Sequence, residues 1–313
     1  MLQQTRVEAV RAPFERFLQR FPTPGAFASV GDDELLVAWR GLGYYRRARL
    51  LRDGARMVVR DHDGVVPASP ERLAELPGIG DYTCGAVASI AFGAPVVAVD
   101  GNVERVVARH RGITADIATA PARKEVRATA ARWLDPQRAG DFNQALMELG
   151  AVVCTPTSPR CEACPVAADC VARRTGRADE LPRKRAPRAP IVVSARCTLV
   201  TRGASVLGHR LPPGEPNAGQ VELPGPGVLA STDAADLAGA ITARFGARVQ
   251  VGDAVAVVRH AITHHRITLT AHAATVRHRG RLEWFAVGGD TPWTTPARKV
   301  FDAAIGAGDA RGA

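Results

Sequence analysis

The residues from 73 to 109 constrain the fold of this chain more than any other stretch, because they join a glycine-rich hairpin to an apolar helix and a single acid. The hairpin reads LPGIG at residues 76–80, and its glycines, Gly78 and Gly80, can adopt positive φ at little cost. It is predicted to point backbone amides outward at the next helix's N-terminus, where they can bind phosphate. The apolar residues 82–92 predict a buried helix that leads to Asp100.

Hydrophobic periodicity divides the chain into a helical part and a mixed part. Helical spacing covers residues 5–20, 45–61, 82–92, 105–111, 123–134 and 141–150. Two more helices are expected, one capped by Asp32 or Asp33 and one that begins at Ser69. Beyond residue 190, strands are predicted at 191–200, 206–211, 264–272 and 282–287, and helices at 233–245 and 296–305. The expected fold is therefore multidomain, with an all-α domain followed by an α+β domain.

Four segments follow from these patterns. We expect a helical core at 1–153, a cysteine loop at 154–172, a linker at 173–190 and an α+β domain at 191–313. The linker reads RRTGRADELPRKRAPRAP, which offers almost nothing to bury and fits a solvated tether whose charge could also touch DNA.

The net charge of +10 and the sequence pI of about 10.0 favour a polyanionic partner. A genome that prefers arginine codons would explain the same charge, because only three of the 41 Lys and Arg residues are lysines, namely Lys124, Lys184 and Lys299. The charge alone therefore does not establish a polyanionic partner. No run of about eighteen apolar residues and no signal segment is present, which predicts a cytosolic protein without a membrane span.

Four of the six cysteines form a compact cluster. Cys154, Cys161, Cys164 and Cys170 have the spacing C-x6-C-x2-C-x5-C. Four thiolates in one short loop suit either a tetrahedral zinc ion or a cubane iron–sulfur cluster, and the spacing by itself leaves both open.

Several motifs together resemble the helix-hairpin-helix-Gly/Pro-Asp superfamily of DNA glycosylases, and within it the adenine glycosylase (MutY) family. They are LPGIG, VDGNVERV from residue 99, MLQQT at the start, GLGYY at residues 41–45 and the four cysteines, and they cover roughly residues 1–174. The resemblance implies a monomeric enzyme with a [4Fe–4S] cluster. It would hydrolyse the glycosidic bond of adenine opposite 8-oxoguanine or guanine in double-stranded DNA and associate with a bacterial nucleoid.

The resemblance also implies roles for individual residues. Asp100 would stabilise the cationic sugar as the base departs, although the acid could simply cap a helix. Tyr82 stands where bifunctional members carry a Schiff-base lysine, and Glu104 rather than an amine follows Asp100, so strand cleavage is not expected. The positions that match DNA-contacting residues are Gln3, Gln4, Tyr44, Leu76, Gly78, Gly80 and Asn102.

One family residue has no counterpart in this sequence. The general acid of the family is a glutamate two residues upstream of the methionine that is Met1 here, and its loss costs about two to four orders of magnitude in rate. We expect that Met1 is an internal methionine to which the start codon was assigned, and that the glutamate lies upstream of it. The alternatives are a lesion-binding protein with impaired catalysis or an endonuclease III-like glycosylase/lyase, which the absent lysine and the second domain oppose.

The second domain carries weaker motifs. QVELPG at residues 220–225 resembles the W-E-x-P-G stretch of Nudix-like folds, but no glutamate-rich metal box follows it, so pyrophosphate hydrolysis is not expected. Ile262, Thr263 and His264 match the family's Phe-Ser-His turn, which implies lesion recognition by Thr263 and His264. A metal site at His260, His264 and His265 is the less favoured interpretation.

Overall fold

The computed structural model describes residues 1, 5, 7–183, 189–215 and 217–305, so Gln3 and Gln4 lie outside the described residues. The helices within these ranges are α1 (Val7–Arg20), α2 (Pro24–Ala28), α3 (Asp32–Ala38), α4 (Arg46–Asp61), α5 (Pro70–Glu75), α6 (Asp81–Phe92), α7 (Gly101–Arg111), α8 (Ala120–Trp133), α9 (Ala139–Glu148), α10 (Val171–Arg174), α11 (Leu237–Phe245) and α12 (Thr295–Ile305). The strands are β1 (Ile191–Leu199), β2 (Thr201–Arg202), β3 (Ser205–Arg210), β4 (Val221–Glu222), β5 (Arg248–Ile262), β6 (His265–His278) and β7 (Glu283–Ala286).

The expected fold class is confirmed. A helical domain with a cysteine loop precedes an α+β domain. The elements that were not predicted are the short helices α2, which Thr23 caps, and α10, the two-residue strands β2 and β4, and the long strand β5. Within the described ranges, no helix is long and apolar enough to cross a lipid bilayer.

Contacts between residues group the chain into two compact units, one of residues 53–187 and one that combines residues 1–52 with residues 188–313. The domain boundaries drawn from the sequence follow motifs rather than these contacts, and they stay a prediction.

The unit of residues 53–187 has its core around α7. Val103 and Val107 of this helix are fully buried and pack against Val126 of α8 and Leu146 of α9. A second cluster of buried residues joins α4, α5 and α6 around Leu73. Burial of one apolar face per helix therefore fixes the elements that carry the hairpin and Asp100.

The other unit contains two small sheets. In the first, β6 lies between β1, which is parallel to it, and β5, which is antiparallel. In the second, β3 pairs with β2, β4 and β7. Ile267 and Leu269 of β6 face a core that includes Trp293 and Val300, whereas Leu237 and the rest of α11 cover a second cluster.

The predicted cap of α3 is wrong. Gly31 is the N-cap residue, with an extended backbone and no side-chain cap, while both aspartates lie in the first helical turn. Acids favour the first turn because they face the positive end of the helix dipole. There Asp32 pairs with Arg52 at 2.6 Å and Asp33 with Arg210 at 2.6 Å.

A buried acid and a buried histidine lie opposite each other on β3 and β4. His209 pairs in register with Glu222, and the Nε2 and Oε2 atoms are 4.0 Å apart. Burial lowers the pKa of His209 to about 4 and raises the pKa of Glu222 to about 7. Both side chains are therefore uncharged in mildly acidic solution.

These two pKa shifts have opposite effects on stability. From about pH 4.5 to 7 the folded state holds a proton on Glu222 that the unfolded state releases, so the contribution of this acid falls as pH rises. From about pH 4 to 6.5 the unfolded state binds a proton on His209 that the folded state excludes, so the contribution of the histidine rises with pH.

We expect Glu222→Gln to remove the acid's share of the pH dependence of stability and leave that of His209. The free energy of unfolding of this variant should fall by about 2 to 4 kcal/mol as the pH drops from about 6.5 to 4, because nothing then offsets His209. Urea denaturation at a series of pH values measures it, and Glu283→Gln on the exposed strand β7 is the control. A variant whose stability follows the parent's pH profile would contradict the assignment.

Candidate active site and cysteine centre

The hairpin between α5 and α6 forms as a tight turn. The amide of Ile79 donates to the carbonyl of Leu76 at 3.1 Å, and Gly78 has a φ of 83°. The freedom of glycine to adopt positive φ is therefore used at Gly78 but not at Gly80, which has a φ of −94°. Gly80 is the N-cap of α6, and an N-cap residue takes extended backbone that requires no glycine. The first amides of α6 lack carbonyl partners within the helix, and phosphate binding by them stays a prediction.

A close approach of two backbone segments positions the acid beyond α6. A Cβ atom on Gly85 would collide with the carbonyl of Val97, so only glycine lets α6 pack against this segment. The side chain of Asn143, 1% exposed, then fixes it. Its Oδ1 accepts from the amide of Ala98 at 3.0 Å, and its Nδ2 donates to the carbonyl of Val96 at 2.9 Å.

Asp100 stands at the N-terminus of α7 and is half-buried. Its Oδ1 accepts from the amides of Asn102 at 2.9 Å and Val103 at 2.8 Å. Its Oδ2 accepts from Nδ2 of Asn102 at 2.8 Å. The carboxylate is thus a helix cap with one fixed orientation, and α7 begins at Gly101, earlier than periodicity indicated.

Arg105 connects this carboxylate to the cysteine loop. Its Nη2 donates to Oδ1 of Asn102 at 2.8 Å and to the carbonyl of Gly150 at 2.6 Å. Its Nε donates to the carbonyl of Cys154 at 2.6 Å. A Cβ on Gly150 would lie 2.6 Å from Cβ of Asn102, so the chain can approach here only because residue 150 is glycine. A continuous path of hydrogen bonds therefore runs from Asp100 to the first cysteine.

Tyr82 lies near the same acid. Burial, and secondly the negative charge of Asp100, raise the pKa of the Tyr82 phenol, which keeps it protonated. Its hydroxyl contacts the sulfur of Met147 at 3.6 Å. The hydroxyl therefore belongs to the surroundings of the acid, and its role in catalysis stays a prediction.

The four cysteines line one cavity together with Arg109 and Val106 of α7. Arg109 is 2% exposed. Its Nη1 donates to Sγ of Cys154 at 3.3 Å and to the carbonyl of Thr155 at 2.7 Å, and its Nη2 donates to the carbonyl of Pro156 at 3.1 Å. One buried guanidinium thus shapes the first part of the loop.

This donor set fits a polynuclear cluster. Burial, and then the three neighbouring thiols, raise the pKa of Cys161, as expected for a site whose thiolates need a metal partner. The four cysteines line a shared cavity, an arrangement that suits the thiolate ligands of a metal centre.

The remaining predicted residues lie in the other unit. Tyr44 is 52% exposed, has a φ of 46°, and lies under the guanidinium of Arg47 at 5.6 Å. Thr263 begins the turn between β5 and β6 with a φ of 49°, which is unusual for a β-branched residue. Its hydroxyl donates to the carbonyl of Ile262 at 2.8 Å, and the ring of His264 lies 4.3 Å from that of His265.

Three structural residues were missed by sequence reasoning, namely Arg105, Arg109 and Asn143. The two arginines stand four residues apart among valines of a helix, a spacing that places both on one face. Asn143 likewise interrupts the apolar face of α9. These three residues could have been found from the sequence as polar residues at positions where the helical pattern predicts burial.

Two family models match parts of this chain. Residues 1–136 match the family described as HhH-GPD superfamily base excision DNA repair protein. Residues 154–170 match the iron–sulfur binding domain of endonuclease III. Residues 154–170 therefore form an iron–sulfur binding domain of the kind that holds a [4Fe–4S] cluster, and the assignment of the four cysteines as its ligands stays a prediction.

Relatives of known function are similar over part of their length. The chain is 43% identical to the adenine DNA glycosylase of Rattus norvegicus over 228 residues, which are 72% of this chain and 43% of that protein. It is 46% identical to the adenine DNA glycosylase of Mycolicibacterium smegmatis over 167 residues, 53% of this chain and 56% of that protein. The chain spans about half the length of these relatives.

Solved structures share the helical fold. A thermostable thymine-DNA glycosylase has a TM-score of 0.52 and 28% identity, and the match covers 56% of this chain and 80% of that one. A trapped covalent intermediate of endonuclease III with DNA has a TM-score of 0.50 and 28% identity, over 56% of this chain and 81% of that one.

We expect Arg105→Lys to destabilise the protein although it keeps the charge. Lysine cannot reproduce the fork that reaches Asn102, Gly150 and Cys154, so buried carbonyls would lose their donors. Urea denaturation should show a free energy of unfolding lower by about 2 to 4 kcal/mol. Arg111→Lys, an exposed position of the same helix, should be close to neutral. Equal stability of the two variants would contradict the structural role of Arg105.

Proposed function

We propose, from the HhH-GPD domain that this chain carries at residues 1–136 and the iron–sulfur binding domain at residues 154–170, that it is a DNA glycosylase that removes adenine from duplex DNA. The observation that carries the proposal is the placement of Asp100, a rigidly hydrogen-bonded carboxylate, after a hairpin with outward amides. The similarity to adenine DNA glycosylases supports adenine as the base.

The chemistry requires a fixed negative charge beside the sugar. An enzyme that acts on a base within a duplex rotates the nucleotide out of the stack, and the hairpin amides can hold a phosphate of that strand. As the glycosidic bond breaks, positive charge develops on the sugar, and the carboxylate of Asp100 can stabilise it and orient water. Hydrogen bonds from Asn102 and Val103 keep the carboxylate in place, so no reorganisation is needed.

The reaction stops at base removal. A lyase would need an amine at the site to form a Schiff base, and this chain has the protonated phenol of Tyr82 there and Glu104 four residues after Asp100. We therefore infer a monofunctional, hydrolytic enzyme. The phenol can help position water or sugar beside the carboxylate.

The cysteine loop contributes to the positioning of Asp100. When bound, a [4Fe–4S] cluster supplies covalent cross-links among Cys154, Cys161, Cys164 and Cys170. Arg105 and Arg109 connect the main chain of this loop to α7 through hydrogen bonds. Arg105 also donates to Asn102, so a rigid loop helps to hold Asn102 and Asp100 in place. The cluster ligands thereby contribute to the geometry of the acid.

We also propose recognition of the mispair. Adenine opposite 8-oxoguanine or guanine is the inferred substrate, with Thr263 and His264 reading the opposite base through a hydroxyl and an imidazole. The strained, exposed turn at Thr263 supports a binding role, since such backbone persists at functional sites. Gln3, Gln4 and Tyr44 are proposed to enter the duplex around the pair, with the enzyme acting as a monomer.

Asp100→Asn should separate catalysis from capping. Asparagine caps helices as well as aspartate does, so the backbone bonds from Asn102 and Val103 should be retained, whereas the negative charge and the bond from Nδ2 of Asn102 are lost. We expect adenine release from duplexes with adenine opposite 8-oxoguanine to fall by about 10² to 10³-fold in single turnover with excess protein. Duplex binding should remain close to that of the parent.

Asp116→Asn is the matched control, because Asp116 also accepts a backbone amide, from Ala118 at 3.0 Å, but lies on an exposed loop. It should release adenine like the parent. Adenine release that does not depend on Asp100 would contradict the catalytic assignment. Duplex binding without any release by the parent would favour a lesion-binding protein instead.

Substitution of Thr263 tests whether its hydroxyl recognises the base opposite adenine. Thr263→Val keeps the shape and branching of the side chain and removes the hydroxyl, whereas Thr263→Ser keeps the hydroxyl. We expect the valine variant to lose about tenfold of its binding preference for adenine opposite 8-oxoguanine over adenine opposite guanine, which is the value of about one hydrogen bond. The serine variant should retain it. Equal preference in both variants would exclude the hydroxyl as the reader.

A further inference from the structure

Among the described residues, no helix covers the outer face of the first sheet around Val192 and Val257, the face that points away from the buried core. On β1, Val193 is 3% exposed and faces the core, whereas the adjacent Val192 is 74% exposed. The same alternation on β5 leaves Val257 62% exposed next to the buried Val258. The paired residues of this outer face are Val192, Ser194, Arg196, Val257, Arg259, Ala261, Arg266, Thr268 and Thr270.

The strand register brings two arginines together on this face. Arg259 of β5 is directly opposite Thr268 of β6, and Arg266 of β6 is directly opposite Ala261. Arg259 and Arg266 are therefore diagonal neighbours, about 7 to 8 Å apart at their backbones. Both are exposed.

The charge of this pair is not compensated within the described residues. No ion pair or hydrogen bond to the guanidinium of Arg259 or Arg266 is formed there. The outer-face positions include no acid, and Lys299, which donates to the carbonyl of Arg259 at 2.8 Å, adds a third positive charge nearby. Arg196, by contrast, is occupied with Thr232 and His272.

The pair also lies next to the turn that carries Thr263. Arg259 precedes Thr263 by four residues and Arg266 follows it by three, which places both within about 10 to 13 Å along the strands. A flat, acid-free face of threonines, valines and arginines fits the phosphates of a nucleic-acid backbone, because two guanidiniums can each donate to phosphate oxygens.

We propose that Arg259 and Arg266 form a phosphate clamp that holds the DNA strand whose base is read by the turn at Thr263. This inference rests on the proposed function for the choice of strand, but the clamp itself would bind any duplex. Contacts to phosphate set the register of the protein on DNA without reading sequence. The clamp would therefore position the opposite base in front of Thr263 and His264.

The test is the salt dependence of duplex binding by the full chain. Fluorescence anisotropy would compare the parent with the double variant Arg259→Gln/Arg266→Gln, on undamaged duplex and on duplex with adenine opposite 8-oxoguanine. Each phosphate contact contributes about 0.9 to the slope of log affinity against log salt, so the slope should fall by about 2 for both duplexes. The affinity ratio between the two duplexes should not change.

Arg248→Gln/Arg277→Gln is the matched control. These exposed arginines stand on the same two strands, with Arg277 eleven residues from Arg266, about 36 Å along an extended strand. The control should keep the parental slope. An unchanged slope in the first variant, or an equal loss in the control, would overturn the clamp, since the charge would then act diffusely.

The two proposals can fail separately. If the parent releases no adenine while the slope still falls by about 2 in the first variant only, the clamp stands and the glycosylase proposal fails. If adenine release depends on Asp100 but the slope does not change, the clamp is wrong and the enzyme assignment stands. A parent that binds neither duplex overturns both, and binding of an acidic protein at this face instead would also contradict the clamp.

Discussion

The candidate site depends on two arginines buried along α7, because their guanidiniums supply the donors that an irregular loop cannot supply itself. A loop has no ladder of backbone hydrogen bonds, and a buried carbonyl without a donor destabilises the fold. Arg105 donates to the carbonyls of Gly150 and Cys154, and Arg109 donates to those of Thr155, Pro156 and Leu181. The same bonds pair the two buried charges with partial negative charge, which offsets the desolvation of a guanidinium.

Close backbone approach is the second requirement. The absence of a side chain at Gly85 lets the segment before Asp100 pack against α6, and its absence at Gly150 lets the cysteine loop pack against Asn102. A methyl group at either position would separate elements whose contact places the acid between hairpin and loop. Small and apolar residues are spread around α6, so hydrophobic burial alone does not select one face of this helix. The missing side chain at Gly85 decides which side faces Val97.

Sequence reasoning succeeded where burial alone determines structure. The amphipathic helices α1, α4 and α8 lie within a few residues of their predicted bounds, because a single apolar face fixes a helix. It missed β5, whose residues are mostly exposed and whose register shifts near Ala254 blur the alternation. It missed the buried arginines because a charged side chain normally marks a solvent-exposed position. It could identify Gly80 as a glycine of a hairpin but not its φ, which is set by the cap of α6.

The role of Asp100 shows how one residue can meet a structural and a chemical demand. A cap residue is held by short backbone bonds, and its side chain has few alternative rotamers, which is the condition for a preorganised charge. The cost of ordering the carboxylate is therefore included in folding and is not added when substrate binds. Removal of the cap's charge without removal of the cap is possible only because asparagine has the same shape. At Asp100 the charge can therefore be removed while the backbone cap is kept. At Arg105 the two roles cannot be separated, since its bonds to the loop and its bond to Asn102 come from the same guanidinium.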